Sequence, residues 1–239
     1  MVSVTGPDAA SYLQSQVSND LRQMAMGDSM WSFVLQPTGK VEVLLRVWRT
    51  GDEQFVLDTD AGAGDVMIAR LNRFKIRVKA DIQTLPWTCM AVRGDGAADA
   101  AERGSGVVAW GDGFDLLGAD VTPPAGATAG TADQFLHARI DAAWPAMFSE
   151  ITPGETIPAE TNIAQVAVSY TKGCYPGQEL VERMDSRGSS APRLLQRVTV
   201  PDGTTAGQPY LIGGVQSGVV TSVLGTSALA LVKRSALQG

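Results

Sequence analysis

Residues 172–179, with the sequence KGCYPGQE, combine groups that suit thiol chemistry. Pro176 has a fixed φ that fits the first position of a helix, so we predict a helix that begins here, continues over residues 178–184 and stops at Gly188. The start of a helix has unpaired N–H groups and partial positive charge, and both favour a thiolate over a thiol. We therefore predict that Cys174 is an activated thiol and that Lys172 supports its ionised form. The alternative is a loop cysteine whose neighbours hold a turn.

The composition argues against nucleic-acid binding, a disulfide framework and a metal site in a single chain. The 239 residues carry a net charge of −6, which argues against a general nucleic-acid binder. The two cysteines, Cys89 and Cys174, lie far apart, so we predict no disulfide framework and a reducing, cytoplasmic location. With His137 as the single histidine, one chain cannot supply four soft ligands to zinc or to an iron–sulfur cluster. We also expect neither a signal region nor a membrane span.

The hydrophobic patterns predict helices interleaved with antiparallel strands, which favours an α+β fold over a doubly wound sheet. No glycine-rich nucleotide loop follows a strand. One helix is predicted to begin after Gly6-Pro7-Asp8, and two more are predicted over residues 63–72 and 132–140. Strands are predicted over residues 30–36, 41–48, 54–58, 74–81, 88–92, 107–110, 114–117 and 166–171. Four more strands are predicted over residues 194–200, 210–212, 215–223 and 228–232.

Three regions follow from these elements. Residues 1–120 are predicted to form an N-terminal α+β region, and residues 121–191 a central segment that contains the Cys174 loop. Residues 192–239 contain short strands separated by glycines, which indicates a small C-terminal β-barrel or sandwich, of which we favour the barrel.

The chain also resembles a known family, the YgfZ-type folate-binding proteins, which are relatives of the aminomethyltransferase (T protein) of the glycine cleavage system. The octapeptide is the most specific part of the resemblance. Weaker matches occur in the family's order: Gly6-Pro7-Asp8, Tyr12-Leu13-Gln14-Ser15-Gln16, Ser18-Asn19-Asp20-Leu21, Pro37-Thr38-Gly39-Lys40, Arg70-Leu71, Phe74-Lys75-Ile76-Arg77-Val78, Arg139-Ile140-Asp141 and Ile157-Pro158-Ala159-Glu160. The resemblance implies a ring of small antiparallel-sheet units with flanking helices around a central hole, where the pterin of tetrahydrofolate, or of a one-carbon derivative, would insert.

Within this resemblance, Asp141 and Glu160 are the acids that we assign to the folate. A pterin presents an amide N–H beside an exocyclic amine, and one carboxylate can accept both. Trp144 would form an apolar wall, and Tyr175 either stacks on the heterocycle or packs as a buried ring. The transferases have glutamate followed by Ala-Gly where this chain has Asp141-Ala142-Ala143, so the acid here is one methylene shorter.

The predicted strand over residues 74–81 has apolar residues on one face and basic residues on the other. Its basic residues and two nearby arginines form one patch: Arg70, Arg73, Lys75, Arg77 and Lys79. The patch can collect the glutamate tail of a folate, for which we single out Arg77, or dock an acidic partner. The alternative is a solvated strand face that discourages edge pairing.

Three functions stay open. The first, which we favour, is a tetrahydrofolate-binding accessory protein that supports assembly or repair of iron–sulfur enzymes through Cys174, with those enzymes or assembly proteins as partners. The second is a folate-dependent aminomethyl- or methyltransferase, whose chemistry does not need Cys174. The third is a thiol or redox protein without folate. We expect neither nucleic acid nor membrane as a partner.

Overall fold

The structure is a computed structural model that describes residues 1–94, 97, 106–186 and 191–237. Within these residues the strands form three antiparallel sheets. The α+β class predicted from the sequence is confirmed as a mixed fold of antiparallel sheets and a few helices.

The first sheet holds the main core and has the strand order β2-β3-β4-β1-β5. Its strands are β1 (Val2–Thr5), β2 (Ser29–Leu35), β3 (Val41–Gly51), β4 (Gln54–Asp58) and β5 (Asp81–Thr84). Helices α1 (Ala9–Gln16) and α2 (Gly64–Phe74) pack on it. Leu13 of α1 and Met67 and Leu71 of α2 are fully buried. The apolar run Val43, Leu44 and Leu45 is buried on both faces of β3, which explains why this strand has no polar alternation.

The second sheet, in the order β6-β8-β7, is smaller. It contains β6 (Thr88–Arg93), β7 (Gly106–Val108) and β8 (Gly113–Gly118), followed by α3 (Ala132–Asp141). A capping box starts α3: the Thr131 hydroxyl accepts the Gln134 N–H, and the Gln134 side chain accepts the Thr131 N–H. The loop after α3 returns to the first sheet, so α3 connects the second sheet to the first.

The third sheet packs against α3 and has the order β10-β11-β12-β9. Its strands are β9 (Arg193–Thr199), β10 (Pro209–Ile212), β11 (Val215–Leu224) and β12 (Ser227–Lys233). All four match predicted strands, but the predicted barrel is wrong. β9 and β10 do not pair with each other in the described part of the chain, so the sheet stays open. With only four residues in β10, the strands are too few and too short to close on themselves.

Two strands that we predicted elsewhere in the chain, over residues 74–81 and 166–171, are wrong. Residues 74–81 complete α2 and then cross to the edge of the first sheet, where β5 pairs with β1. The alternation of apolar and basic residues had predicted that Ile76 faces the core. Ile76 is instead 76% exposed, so this alternation does not report a buried strand face. Residues 166–171 complete the short helix α4 (Ala164–Ala167) and continue as a loop instead of forming a strand. Their carbonyl groups bond to the turn after α1: Ser18 donates to Ala167 O, and Asn19 donates to Val166 O.

Helix α5 (Gln178–Ser186) confirms the helix predicted after the octapeptide, and a short 3-10 helix covers Pro158–Glu160. Strand β1 was not predicted, because four residues at a chain start are too few to show a period. Its place between β4 and β5 makes it central to the first sheet. Gly188, the predicted end of α5, lies outside the described residues. The three-region division and the ring arrangement stay predictions.

Candidate functional site

A cavity of about 270 Å³ lies between the first sheet, the second sheet and the loop that follows α3. Its walls combine aromatic, ionic and thiol side chains from distant parts of the chain. The lining residues are Met1, Trp31, Leu44, Arg46, Asp58, Thr59, Asp60, Ala61, Cys89, Ala91, Arg93, Trp110, Asp115, Phe135 and Trp144. The volume suits one fused heterocycle rather than a whole folate with its tail.

The aromatic lining consists of two ring pairs. Trp31 and Trp144 have ring centroids 4.8 Å apart, and Trp110 and Phe135 have centroids 5.2 Å apart in an edge-on arrangement. Trp31 and Trp144 are each 8% exposed, yet the buried indole N–H of Trp31 has no hydrogen-bond partner in the described structure. Buried polar groups are nearly always paired, so an unpaired N–H in a cavity wall is a place where a ligand acceptor would fit.

Four charged side chains form an ionic frame on one side of the cavity. The fully buried Arg46 donates to both Asp58 oxygens at 3.0 and 2.8 Å, and to Asp115 Oδ2 at 2.7 Å. Arg93 Nη1 donates to the other Asp115 oxygen at 2.6 Å. The Arg93 Nε and Nη2 groups are buried without a partner in the described residues. Arg93 also lies over the Trp110 ring, with Cζ 4.2 Å from the centroid.

The ionic frame is charged at neutral pH. Burial alone would lower the pKa of Arg46, but the charges and hydrogen bonds of Asp58 and Asp115 raise it above its ordinary value. For the partner Asp58, burial outweighs the charge of Arg46, and the pKa of the carboxyl is raised above its ordinary value. We take both groups as ionised, since a guanidinium does not lose its proton in proteins and the two short N–O contacts are those of a charge-assisted pair.

Asp60 differs from the other two cavity acids, because no arginine or lysine of the described residues pairs with it. Its Oδ2 accepts the backbone N–H of Met147 at 2.7 Å. Burial raises the pKa of Asp60, although part of the residue is exposed. The two observations agree if the exposed part faces the water in the open cavity, because Asp60 is one of the lining residues.

Cys89, rather than Cys174, is the cysteine of the cavity. Cys89 is exposed, as Cys174 is, and its Sγ lies 4.0 Å from Arg46 Nη2. Partial burial of the thiol in the cavity wall, together with the charge of Asp115, raises its pKa to about 11. The thiol is therefore protonated at neutral pH and is a poor nucleophile there. Cys89, Ala91 and Arg93 all line the cavity because they alternate along β6. This alternation was the available sequence signal for the cavity, and our sequence analysis did not use it.

The Cys174 loop lies on the surface, and the Cys174 thiol is exposed. Tyr175, Pro176 and Gly177 separate it from the first residue of α5, so it precedes the helix instead of starting it. Cys174 is not among the residues that line the cavity. The thiol is thus accessible to a partner, but at a separate site from the aromatic pocket.

Lys172 is buried below this loop and holds it to the end of α1. Its Nζ donates to Gln14 O, Val17 O and Asn19 O at 2.7, 2.6 and 2.9 Å, and lies 5.0 Å from the centre of the Tyr175 ring. Burial lowers the pKa of Lys172 to about 8. All three N–H donors of the protonated amine are used by carbonyl groups, so the observed contacts give Lys172 a structural role. Its predicted catalytic role stays a prediction.

Two glycines lock the octapeptide against the first hairpin. Gly39 lies in the turn between β2 and β3, and Gly177 lies just before α5. Both have positive φ, +83° and +84°. A Cβ on Gly177 would contact Gln36 O and come within 2.9 Å of Gly39 Cα, so only glycine fits this approach. Two motifs that were separate in the sequence are therefore one packed unit.

The residues predicted to bind folate do not form one cluster. Trp144 lines the cavity, whereas Asp141, Glu160, Tyr175 and Arg77 are not among its lining residues. Tyr175 is buried, and Arg77 is exposed in the segment that replaces the predicted strand, with a left-handed φ of 56°. Arg70, counted in the same basic patch, is also buried and donates to Leu35 O.

The two predicted acids each have an arginine partner on β9. Asp141 accepts from Arg197 at 2.9 Å and lies 3.0 Å from His137 Nδ1. The buried Glu160 accepts from Arg193 at 2.8 and 3.2 Å and from the Ile157 N–H at 3.3 Å. Their folate role stays a prediction, but their observed contacts tie α3 and the 3-10 helix to the third sheet.

The described residues contain neither a metal-ligand cluster nor a membrane-spanning helix. No three histidine, cysteine or acidic side chains are grouped closely enough to hold a metal ion. No helix in the same residues has the length and apolar character to cross a membrane.

Comparison with known proteins points to one family. Residues 1–109 match the model of the GCVT N-terminal domain. An iron–sulfur cluster assembly factor IBA57 homolog, mitochondrial, from Neurospora crassa is 25% identical, over 85% of this chain and 52% of that protein. The tRNA-modifying protein YgfZ of Vibrio vulnificus is 28% identical, over 83% of this chain and 67% of its own length.

Among solved structures, the glycine cleavage system aminomethyltransferase T of Bartonella henselae has the same fold. Its TM-score is 0.73 at 20% identity, over 98% of this chain and 76% of that one. The chain therefore spans between about half and three quarters of these relatives. The matched domain, the named relatives and the shared fold together support the predicted resemblance to the YgfZ-type family of GcvT-like proteins.

Proposed function

We propose that this chain is a tetrahydrofolate-binding accessory protein that supports the assembly or repair of iron–sulfur enzymes, with Cys174 as its reactive group. Two relatives support the client class: the Neurospora crassa homolog is named as an iron–sulfur cluster assembly factor, and so is the human IBA57, which is 28% identical to this chain. The fold shared with a glycine cleavage T protein supports a folate site.

The observation that carries the folate proposal is the composition of the cavity wall. Flat rings from Trp31, Trp110 and Trp144 can hold a pterin by its faces. The unpaired N–H groups of Trp31 and Arg93 match the carbonyl and ring-nitrogen acceptors of a pterin, and the Asp60 carboxylate matches its N–H donors. When bound, tetrahydrofolate would supply a carrier for a one-carbon unit. Its glutamate tail would leave the cavity, where Arg77 stays a candidate contact.

The role of Cys174 is argued from its accessibility. Because the thiol is exposed and lies outside the cavity lining, its partner is a group on another macromolecule: a cluster, a persulfide or a cysteine thiol. An exposed cysteine on a well-anchored loop can meet such a group without opening the fold. Cys89 is also exposed, but it is less suited to this role, because its thiol lines the cavity and its raised pKa keeps it protonated.

The test has two arms. Isothermal titration of the purified chain with tetrahydrofolate should show saturable binding, and absence of binding would contradict the folate half. In a strain that depends on this protein, Cys174→Ala should lower the activity of iron–sulfur enzymes, whereas Cys89→Ala should leave most of it. Full activity with Cys174→Ala would contradict the thiol half.

Two further measurements separate the alternatives. Turnover of an aminomethyl donor with tetrahydrofolate would favour the transferase, whose activity Cys174→Ala should not affect. Thiol activity without tetrahydrofolate binding would favour the redox protein. Since the Vibrio vulnificus relative is named as tRNA-modifying, our prediction of no nucleic-acid partner should be tested by titration with tRNA.

A further inference from the structure

The three acids of the cavity are not equivalent, and the difference is in their partners. Asp58 and Asp115 are neutralised by Arg46 and Arg93, so their oxygens are occupied. Asp60 has no cationic partner among the described residues, and its one hydrogen bond in them comes from the Met147 N–H. Each carboxylate oxygen can accept two hydrogen bonds, so Asp60 keeps most of its accepting capacity.

The backbone around Asp60 is anchored on both sides. On one side, the hydroxyl of Thr59 donates to Leu44 O on β3 at 2.7 Å. On the other side, Met147 is buried, and its N–H holds the Asp60 carboxylate. An acid fixed in this way is arranged for a ligand before the ligand arrives, which reduces the entropic cost of binding.

The segment that holds Asp60 is itself conformationally restricted. Phe148, next to Met147, has a left-handed φ of 67°, which is rare for a bulky residue. Its N–H donates to Ile151 O, and its ring would lie 3.3 Å from a Cβ placed on Gly62. The loop 60–62 and the segment 147–148 therefore pack on each other at the edge of the cavity.

The Asp60 carboxylate is exposed to the water of the open cavity, and a bound ligand has to replace that water with donors of its own. Burial raises the pKa of Asp60, and the neighbouring charges of Asp58 and Glu150 act in the same direction, against the Met147 hydrogen bond and the charge of Arg139. A ligand that donates two adjacent N–H groups would satisfy the free oxygens and would also favour the ionised form.

We propose that Asp60 is the specificity-determining acid of the cavity, and that it recognises the ring N–H and exocyclic amine of an aminopyrimidine-type heterocycle. The inference rests on the proposed folate function and names the contact that would select the ligand. Asp141 and Glu160, the acids expected from the family resemblance, already have the arginine partners Arg197 and Arg193.

The experiment is a titration of two ligands into three proteins. The ligands are tetrahydrofolate and its 2-desamino analogue, which lacks the exocyclic amine. The proteins are the wild type, Asp60→Asn and the matched control Asp52→Asn, which changes an exposed acid that is not among the cavity-lining residues. Asparagine keeps the size of the side chain and an oxygen for the Met147 N–H, but it loses the charge. Thermal unfolding shows whether each variant is folded.

The wild type should bind tetrahydrofolate about 10- to 100-fold more tightly than the desamino analogue, because the analogue lacks one of the two N–H donors that the Asp60 carboxylate would accept. Asp60→Asn should weaken tetrahydrofolate binding by a similar factor and lose the preference, while Asp52→Asn should stay within about twofold of the wild type.

Each other outcome overturns the proposal in a recognisable way. If the wild type binds both ligands equally, or Asp60→Asn keeps the preference, the Asp60 contact is wrong while folate binding stands. The wild-type comparison decides this even if the variant does not fold. If the wild type binds neither ligand, the proposed function fails and the Asp60 assignment fails with it.

Discussion

The cavity and the Cys174 loop are built in opposite ways. The cavity gathers side chains from β2, β3, β4, β6, β8 and α3, and its charged groups neutralise one another inside the protein. The loop is one contiguous octapeptide, anchored from below by Lys172 and Gly177, with its thiol on the surface. In the cavity the same side chains thus stabilise the fold and form the candidate site. In the loop, Lys172 and Gly177 hold the backbone, and Cys174 is the candidate reactive group.

The largest effect that this contrast predicts is for the centre of the cavity. Arg46→Met should lower the free energy of unfolding by about 3–5 kcal/mol, because it leaves Asp58 and Asp115 as buried carboxylates with one counter-charge fewer. Urea unfolding followed by circular dichroism would measure the loss. A change below about 1 kcal/mol would show that the ionic frame is not a structural element.

The anchor of the loop should come next. Lys172→Met should lower the free energy of unfolding by about 2–4 kcal/mol, because three carbonyl groups lose their shared donor. The same urea series measures it. A fully stable variant with impaired client enzymes would instead favour the catalytic role that we predicted for Lys172.

The pH dependence of stability provides a second check on Lys172. Its pKa is lowered from 10.5 to about 8 in the folded chain, so the unfolded chain binds more protons between these values. The free energy of unfolding therefore rises with pH from about 8 to about 10.5 and is flat below. The difference between the wild type and Lys172→Met, measured at several pH values, isolates this contribution, and a falling difference in that window would contradict it.

A smaller loss is expected at the glycine contact. Gly177→Ala should lower the free energy of unfolding by about 1–3 kcal/mol, because alanine resists the positive φ and its Cβ would strike Gln36 O. Gly173→Ala is the matched control in the same motif: nothing lies near its Cβ, and the change should stay within about 0.5 kcal/mol. Equal effects for the two variants would rule out the packed unit.

The smallest effect on stability should come from the reactive group itself. Cys174→Ala should change the free energy of unfolding by less than about 0.5 kcal/mol, since the side chain is exposed. Labelling with Ellman's reagent at pH 8 should show one fast thiol, which Cys174→Ala removes, and one slow thiol, because burial raises the pKa of Cys89. Fast labelling of Cys89 would contradict the protonated cavity thiol.

The order of helices and strands was largely readable from the sequence, because a period of two or of 3.6 residues reports which face of a local element is buried. The predicted strands β2, β3 and β4 and the four C-terminal strands all occur, although β3 was readable as a continuous apolar run and not by alternation, because it is buried on both faces. Residues 74–81 show the limit of alternation as a signal. Their alternation is as regular as that of any strand, but the edge of the first sheet is taken by β5, so no neighbour was left to pair with them.

The thiol motif was equally local. Its glycines, proline and cysteine are contiguous, so their types alone predicted the helix that follows, which is α5. The activated state of Cys174 stays a prediction. The role of a charged residue is not local, because it depends on which partner the fold brings near it. Asp141 and Glu160 receive arginines from β9, Lys172 receives three carbonyl groups, and Asp60 receives no cation in the described structure. These assignments depend on contacts between residues far apart in the chain, which periodicity and spacing do not encode.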